Sequence, residues 1–288
     1  MIIAFWSEFH GQNGNTAATI SCGNYLGLNF DIKTLMGHCQ YSMSAMECAY
    51  NIRESETLNV YDEVGIDALE KCASAGQLTV QDYYNFTKNL VPGRLDILTG
   101  TTKTYQTSFE ESLGHTIFRI LDGARDAYEL VLIDVNSGIY NDITNKVLDI
   151  ADLVIVNLNQ NYLVLKSYFE KVVTSDLLKN KKQIVVIGNY DPKSQYTTKF
   201  IKRHFKYSDE IFTIPYSIDF KDSHSNHCSL EFFRSNIDVN SKDDNYLFIT
   251  EVERLCNKII DLAQIDIEFK KKRFTSESIL SKMFGISR

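Results

Sequence analysis

Short apolar runs rich in β-branched residues recur along the chain, with amphipathic stretches between them. Ile2–Trp6, Ile32–Met36, Leu95–Leu98, Leu130–Asp134, Leu153–Val156, Ile184–Ile187 and Ile211–Ile214 read as strands. Several are apolar throughout and do not alternate with polar residues, the pattern of a strand covered on both faces in a parallel sheet. Glu111–Ala127 and Tyr162–Leu178 carry apolar residues at helical spacing, and NYLFITEVERLCNKIIDLAQ reads as a long amphipathic helix. Strands alternating with helices predict an α/β fold, a doubly wound and mainly parallel sheet flanked by helices.

Residues 38–92 are less regular. VGIDALEKCASAGQLTVQDYYNFT predicts two helices divided by Gly76, as a helical insertion at about 40–92 on one edge of the sheet. Residues 217–245 are polar and histidine-bearing and read as loop and helix. The expected organisation is one α/β domain over residues 1–265 and a basic amphipathic tail over residues 266–288.

Composition narrows the classes. With 30 basic and 37 acidic residues the net charge is −7, which argues against a broad nucleic-acid surface. No apolar run approaches the roughly 18 residues that span a bilayer, and MIIAFW is too short for a signal core and lacks a basic leader. The 6 cysteines are scattered without a CxxC pair, as expected of reduced thiols and not of a metal site or disulfide framework.

The chemistry-bearing stretch is HGQNGNT, residues 10–16, directly after the first strand. Strand, glycine turn, threonine and small-residue helix have the shape of a phosphate-binding loop, in which backbone N–H groups at a helix start converge on an anion. Gly11 and Gly14 permit the tight turn, and Thr16 offers a hydroxyl to Mg²⁺. Where such a loop carries lysine, this one carries Asn15. A charge pair at about 4 Å and an effective dielectric near 20 contributes roughly 4 kcal/mol before desolvation, and an amide does not supply it. Phosphoryl transfer, which depends on electrostatic stabilisation, suffers more than binding. LVLIDVNSG, residues 130–138, places Asp134 at a strand tip, where an acid holds Mg²⁺ directly or through water.

Taken together, these stretches resemble the motifs of the ParA/MinD family of deviant-Walker ATPases, whose loop reads KGGxGKT and whose second motif reads like DxPxG. His10 stands at the family's signature lysine, Gly11 and Gln12 at its glycine pair, Asn13 at the variable position and Asn15 at the Walker lysine. Gly14 and Thr16 are retained. GRLDILTGTT, ADLVIVNLNQNYLVLKSYFEKV, QIVVIGNYDPKSQYTTKFIKRHF and IFTIPYSIDF resemble later family segments, so the likeness covers about residues 1–260 and is weaker at 40–90. The nearest branch is that of the TadZ/CpaE-like proteins, which position and assemble pili.

The resemblance implies ATP or ADP with Mg²⁺ as cofactor. Nucleotide would be held by His10, Gly11, Gln12, Asn13, Gly14, Asn15, Thr16 and Asn189, with Thr16 and Asp134 on the metal. It also implies a homodimer joined through the loop face. Both family lysines are missing, and the acidic switch residue after the second strand is replaced by His38 or a neighbour in LMGHCQYS. Lys33 and Lys103 are the candidates for a substitute cation, with nothing in the pattern to select either. Two readings follow. One is a localisation and assembly scaffold for membrane-associated machinery, pilus or secretion, that binds nucleotide weakly or not at all. The other is a working Mg²⁺-dependent ATPase. A DNA-segregation role fits the acidic balance poorly.

The tail FKKKRFTSESILSKMFGISR sets the basic run Lys270–Arg273 before a segment with Ile279, Leu280, Met283, Phe284 and Ile286 on one helical side. Such an end lies in an anionic membrane interface, as MinD tails do, or packs on the domain. The expected location is cytoplasmic, at the inner face of the membrane. His224, His227 and Cys228 lack a third ligand at metal spacing and read as solvated loop residues. Trp6 reads as core, and Asp219, Asp222, Asp243 and Asp244 as solvated acids.

Overall fold

Ile2–Trp6 forms the first strand, β1, buried at every position. Its side chains divide between two cores: Ile2, Ala4 and Trp6 enter one, and Ile3 and Phe5 enter the other. Successive residues of a strand face opposite sides, so a strand covered on both faces must be apolar throughout. The computed structural model describes residues 1–41, 45–50, 52 and 64–266.

After β1 come α1 (Asn15–Asn29), β2 (Thr34–His38), α2 (Ala45–Cys48), α3 (Gly65–Ser74) and α4 (Val80–Phe86). A hairpin of β3 (Lys88–Val91) and β4 (Leu95–Leu98) follows, then α5 (Gln106–Ala127), β5 (Leu130–Asp134) and α6 (Asp142–Ile150). The chain continues through β6 (Leu153–Leu158), α7 (Tyr162–Ser167), a π-helical turn (Tyr168–Val172), β7 (Lys182–Tyr190) and α8 (Thr198–Phe205). It ends, within the described residues, with β8 (Ile211–Pro215), α9 (Ile218–Ser225), α10 (Ser229–Ser235) and α11 (Tyr246–Ala263).

The strands form one sheet in the order β3-β4-β2-β5-β1-β6-β7-β8. Every neighbouring pair is parallel except β3–β4. Helices α3 to α8 supply the core on one face, and α1, α2, α9, α10 and α11 supply it on the other. The doubly wound, mainly parallel α/β sheet expected from the sequence is therefore present. On one side of β1 the strands β6, β7 and β8 are added outward in chain order, while on the other the chain passes first to β2 and later inserts β5 between β2 and β1, so the carboxyl ends of β1, β5 and β6 open a crevice at the switch of strand order.

Three segments differ from expectation. The stretch at 40–92 is not helical throughout, because β3 pairs antiparallel with β4 along the sheet edge. Pro92 and Gly93 between two short runs were the available hairpin signal. The helix expected over Tyr162–Leu178 ends at Ser167 and passes into the π-helical turn. There Tyr168 is fully buried, with its hydroxyl donating to Gln183 Oε1 at 2.8 Å, while Phe169 stacks on Phe205. The β-branched run Val172–Val173–Thr174 has poor helix propensity, which favours the break. Finally, β7 runs from Lys182 to Tyr190, longer than the apolar run alone suggests.

Candidate functional site

The residues that leave β1 turn through Gly11 (φ 80°) and Gly14 (φ 70°) into α1. Both are in the left-handed region, where a side chain is strained. Gly14 is the N-cap of α1 and brings no capping side chain, so the first amides of the helix keep no intrahelical acceptor. The tip of β7 closes against this loop: a Cβ on Gly188 would stand 2.2 Å from the Asn13 carbonyl oxygen. The result is a cleft of about 190 Å³ lined by residues 10–17 together with Ser7, Gln40, Asp134, Val135 and Ser137.

The structure brings His10, Gly11, Gln12, Gly14, Asn15, Thr16 and Asp134 together around this cleft. Asn13 also borders it, but its buried amide turns inward and donates to the Phe9 carbonyl at 3.1 Å. Its side chain therefore shapes the loop. Asn189, with φ 49° at the tip of β7, lies against Gly14 and donates to the Gln12 carbonyl at 3.5 Å. It also lines an adjoining cavity of about 210 Å³ with Ala17, Tyr216, Phe220, Lys221 and His224.

Asn15 is committed to the protein interior. Its Nδ2 donates to the Phe5 carbonyl at 2.7 Å and to Asp134 Oδ1 at 2.5 Å. Its Oδ1 accepts from Asn157 Nδ2 at 2.6 Å. The second oxygen of Asp134 accepts from the Thr16 hydroxyl at 2.5 Å. Burial pushes the Asp134 carboxyl up to about 6, against the opposing pull of Thr16, His38 and Asn15. Thr16 keeps lone pairs for a cation while donating its hydrogen to Asp134, so this oxygen pair fits the ordinary way of holding Mg²⁺, in which water and phosphate oxygens complete the shell.

The residues lining the cleft include no lysine or arginine among the described residues. Lys103 binds Glu70 Oε2 at 2.9 Å and the Ser112 hydroxyl at 2.5 Å. Lys33 precedes β2, at the opposite end of the sheet from the cleft, with its ammonium 5.6 Å above the Tyr84 ring.

His38 occupies the last position of β2, directly across from Asp134. It is buried, with the Gln40 N–H 3.2 Å from its Nδ1 and its Nε2 2.9 Å from Glu47 Oε1. Glu47 Oε1 also accepts from Gly100 N–H at 2.7 Å. Burial raises the Glu47 pKa, but the hydrogen bond and field of His38 and the Gly100 N–H outweigh it and hold this carboxyl at about 2. Sequence reasoning missed Glu47. It sits on a four-residue helix in an irregular stretch, and no motif marks it.

The expectation that His224 and His227 are solvated loop residues is overturned. Both are half-buried. His224 Nε2 meets the Ala45 carbonyl at 2.7 Å, and His227 Nδ1 meets the Cys48 carbonyl. The Ala45 carbonyl also accepts from the Ala49 N–H at 3.2 Å, so the histidines add side-chain donors to a helix with few local bonds. Burial lowers the His224 pKa, the Ala45 carbonyl resists this, and His227 adds to it. Asp219, Asp222, Asp243 and Asp244 are exposed, as expected, and Trp6 is buried in the core, its Nε1 donating to the Gly138 carbonyl at 2.8 Å. Among the described residues no group of three or more His, Cys, Asp or Glu is set to hold a metal, and all six cysteines are free. The basic tail at 270–288 lies outside the described residues.

No protein-family model matches the sequence, and no curated protein does. Solved structures do match. A ParA family ATPase from Chlorobium tepidum TLS superposes with a TM-score of 0.66 at 12% identity, over 92% of this chain and 99% of that one. The septum site-determining protein MinD of Pyrococcus horikoshii OT3, complexed with Mg-ADP, superposes with a TM-score of 0.65 at 12% identity, over 91% and 98%. The MinC:MinD cell division complex of Aquifex aeolicus gives 0.60 at 14% identity, over 89% and 96%. The chain has the ParA/MinD-type P-loop fold.

Proposed function

We propose that the chain is a TadZ/CpaE-like member of the ParA/MinD group that works as a localisation and assembly scaffold, its ATP hydrolysis lost. One observation carries this reading: the residue at the lysine position spends its amide on Phe5, Asp134 and Asn157, and among the described residues the cleft walls bring no ammonium or guanidinium in its place. Backbone donors at the start of α1 still attract an anion. ATP or ADP would lie along residues 10–16 with its base towards Asn189, bound weakly. Mg²⁺ would sit on Thr16 and Asp134 and neutralise phosphate charge there. MinD has been solved with Mg-ADP.

The organisation that goes with this function is one domain over residues 1–265 and a docking tail over 266–288. The loop face carries exposed apolar side chains, Phe9, Ile139, Tyr140 and Leu163, which suit a homodimer joined there. MinD also forms a complex with MinC, and this chain would likewise recruit protein partners of a pilus or secretion assembly. The work would take place on the cytoplasmic side. Among the described residues no helix is long and apolar enough to cross a membrane, and the basic run Lys270–Arg273 with the apolar residues after it would supply contact with anionic lipid.

Purified protein should show no Mg²⁺-dependent ATP turnover, and removal of residues 270–288 should release it from anionic liposomes. The Thr16–Asp134 hydrogen bond favours one second reading, an active ATPase. That reading requires turnover that collapses in Asp134→Ala and in Thr16→Ala.

A further inference from the structure

Helix α2 is four residues long, too short to persist on local hydrogen bonds because helix nucleation is costly. It is held from outside, on two sides. Residues after α9 and within it grip its carbonyls: His224 Nε2 takes Ala45 O at 2.7 Å, His227 Nδ1 takes Cys48 O, and the Ser229 N–H reaches Ala49 O at 3.3 Å. From the other side, His38 Nε2 and the Gly100 N–H hold the Glu47 carboxylate at 2.9 and 2.7 Å. His38 is the register partner of Asp134, which borders the phosphate cleft. His224 has a second face: with Tyr216, Phe220 and Lys221 it walls the cavity of about 210 Å³ that adjoins that cleft, its ring 6.3 Å from that of Phe220.

We infer that α2 reports the occupancy of this cavity, with His224 as the link: a planar heteroaromatic ring bound there orders α2 and with it the Glu47–His38 pair. The inference rests on the nucleotide-site reading above and adds its regulation. A ring filling the cavity confines the His224 imidazole to the rotamer that meets Ala45 O, so ligand binding and the ordering of α2 favour one another. A phosphate group alone reaches only the cradle formed by residues 10–16 and leaves His224 untouched. The device distinguishes a base-bearing ligand from an inorganic anion, and it needs no hydrolysis.

Hydrogen exchange on the full-length protein tests it. The N–H groups to follow are those of Ala49, Tyr50 and Ile52, bonded to Ala45 O and Glu47 O. Saturating ADP should slow their exchange about tenfold and pyrophosphate should not. At ADP saturation His224→Ala should abolish the protection, and His224→Gln, which keeps a donor for Ala45 O, should restore most of it. Equal protection by pyrophosphate, ADP binding with no change in exchange, or full protection in His224→Ala would each overturn the inference. So would an absence of ADP binding up to about 10 mM, a concentration that reaches Kd values in the millimolar range. The comparison of ADP with pyrophosphate on the unmodified chain decides the matter even where His224→Ala does not fold. Measurable ATP turnover would instead overturn the scaffold reading and leave this one standing.

Discussion

The amide nitrogen of Asn15 lies 2.5 Å from Asp134 Oδ1, so the loop is tied to the tip of β5 by an uncharged donor at the position where the loops it resembles place an ammonium. The same amide reaches Phe5 O and accepts from Asn157. Asn15→Ala removes these bonds, together with a longer one to Val135 O at 3.4 Å, and leaves the buried Asn157 amide and the Asp134 carboxylate short of partners. Unmade hydrogen bonds of buried groups cost about 1–3 kcal/mol each. A loss of about 2–4 kcal/mol in urea unfolding is expected, with the slope of the transition unchanged.

Asn15→Lys tests what the missing charge contributes. An ammonium about 4 Å from a phosphate is worth at most roughly 4 kcal/mol before desolvation. Calorimetric titration with Mg·ATP should therefore show affinity at least about tenfold tighter than in the unmodified chain, a gain of about 1.4 kcal/mol. Unchanged affinity would mean that the loop geometry, and not the charge, limits binding.

Gly188→Ala probes the seat of the loop. The added Cβ would stand 2.2 Å from Asn13 O and 3.0 Å from its carbonyl carbon, both backbone atoms that no rotamer change can move. The loop must shift away from β7. Overpacking of this kind typically costs about 1–3 kcal/mol, and thermal unfolding should report it. Nucleotide affinity should fall with it.

Acid stability should report on Glu47. Its carboxyl sits at about 2 in the folded chain against an ordinary value of 4.5, so its ionised form stabilises the fold above about pH 4.5. That contribution, on the order of 3 kcal/mol, is lost as the pH falls from there towards 2. Glu47→Gln keeps acceptors for His38 and Gly100 but does not ionise. It should unfold more easily at pH 7 and lose less stability than the unmodified chain between pH 4.5 and 2, measured by denaturant titration at each pH.

Much of the architecture was legible because it is written in short-range patterns. Several of the seven expected strands are apolar runs that must be apolar to serve two cores at once, as the division of β1 between those cores shows. The edge strand β3 escaped notice because it is half-exposed and lacks such a run. The long helix expected through Leu178 failed where the burial of Tyr168 and the Phe169–Phe205 stack outweighed periodicity.

By itself the sequence determined the α/β alternation, the glycine loop after β1, the acid at the tip of β5 and the absence of lysine at position 15. Each of these is local, set by the identity of a residue and its immediate neighbours. Only the tertiary structure decided where the Asn15 amide points, that Glu47 stands beneath the β2 tip, and that His224 and His227 grip α2. Those bonds join residues 119 positions apart in Asn15–Asp134 and 179 apart in His224–Ala45. A polar side chain takes whichever partner packing brings within about 3 Å, and over such separations only the folded chain selects that partner.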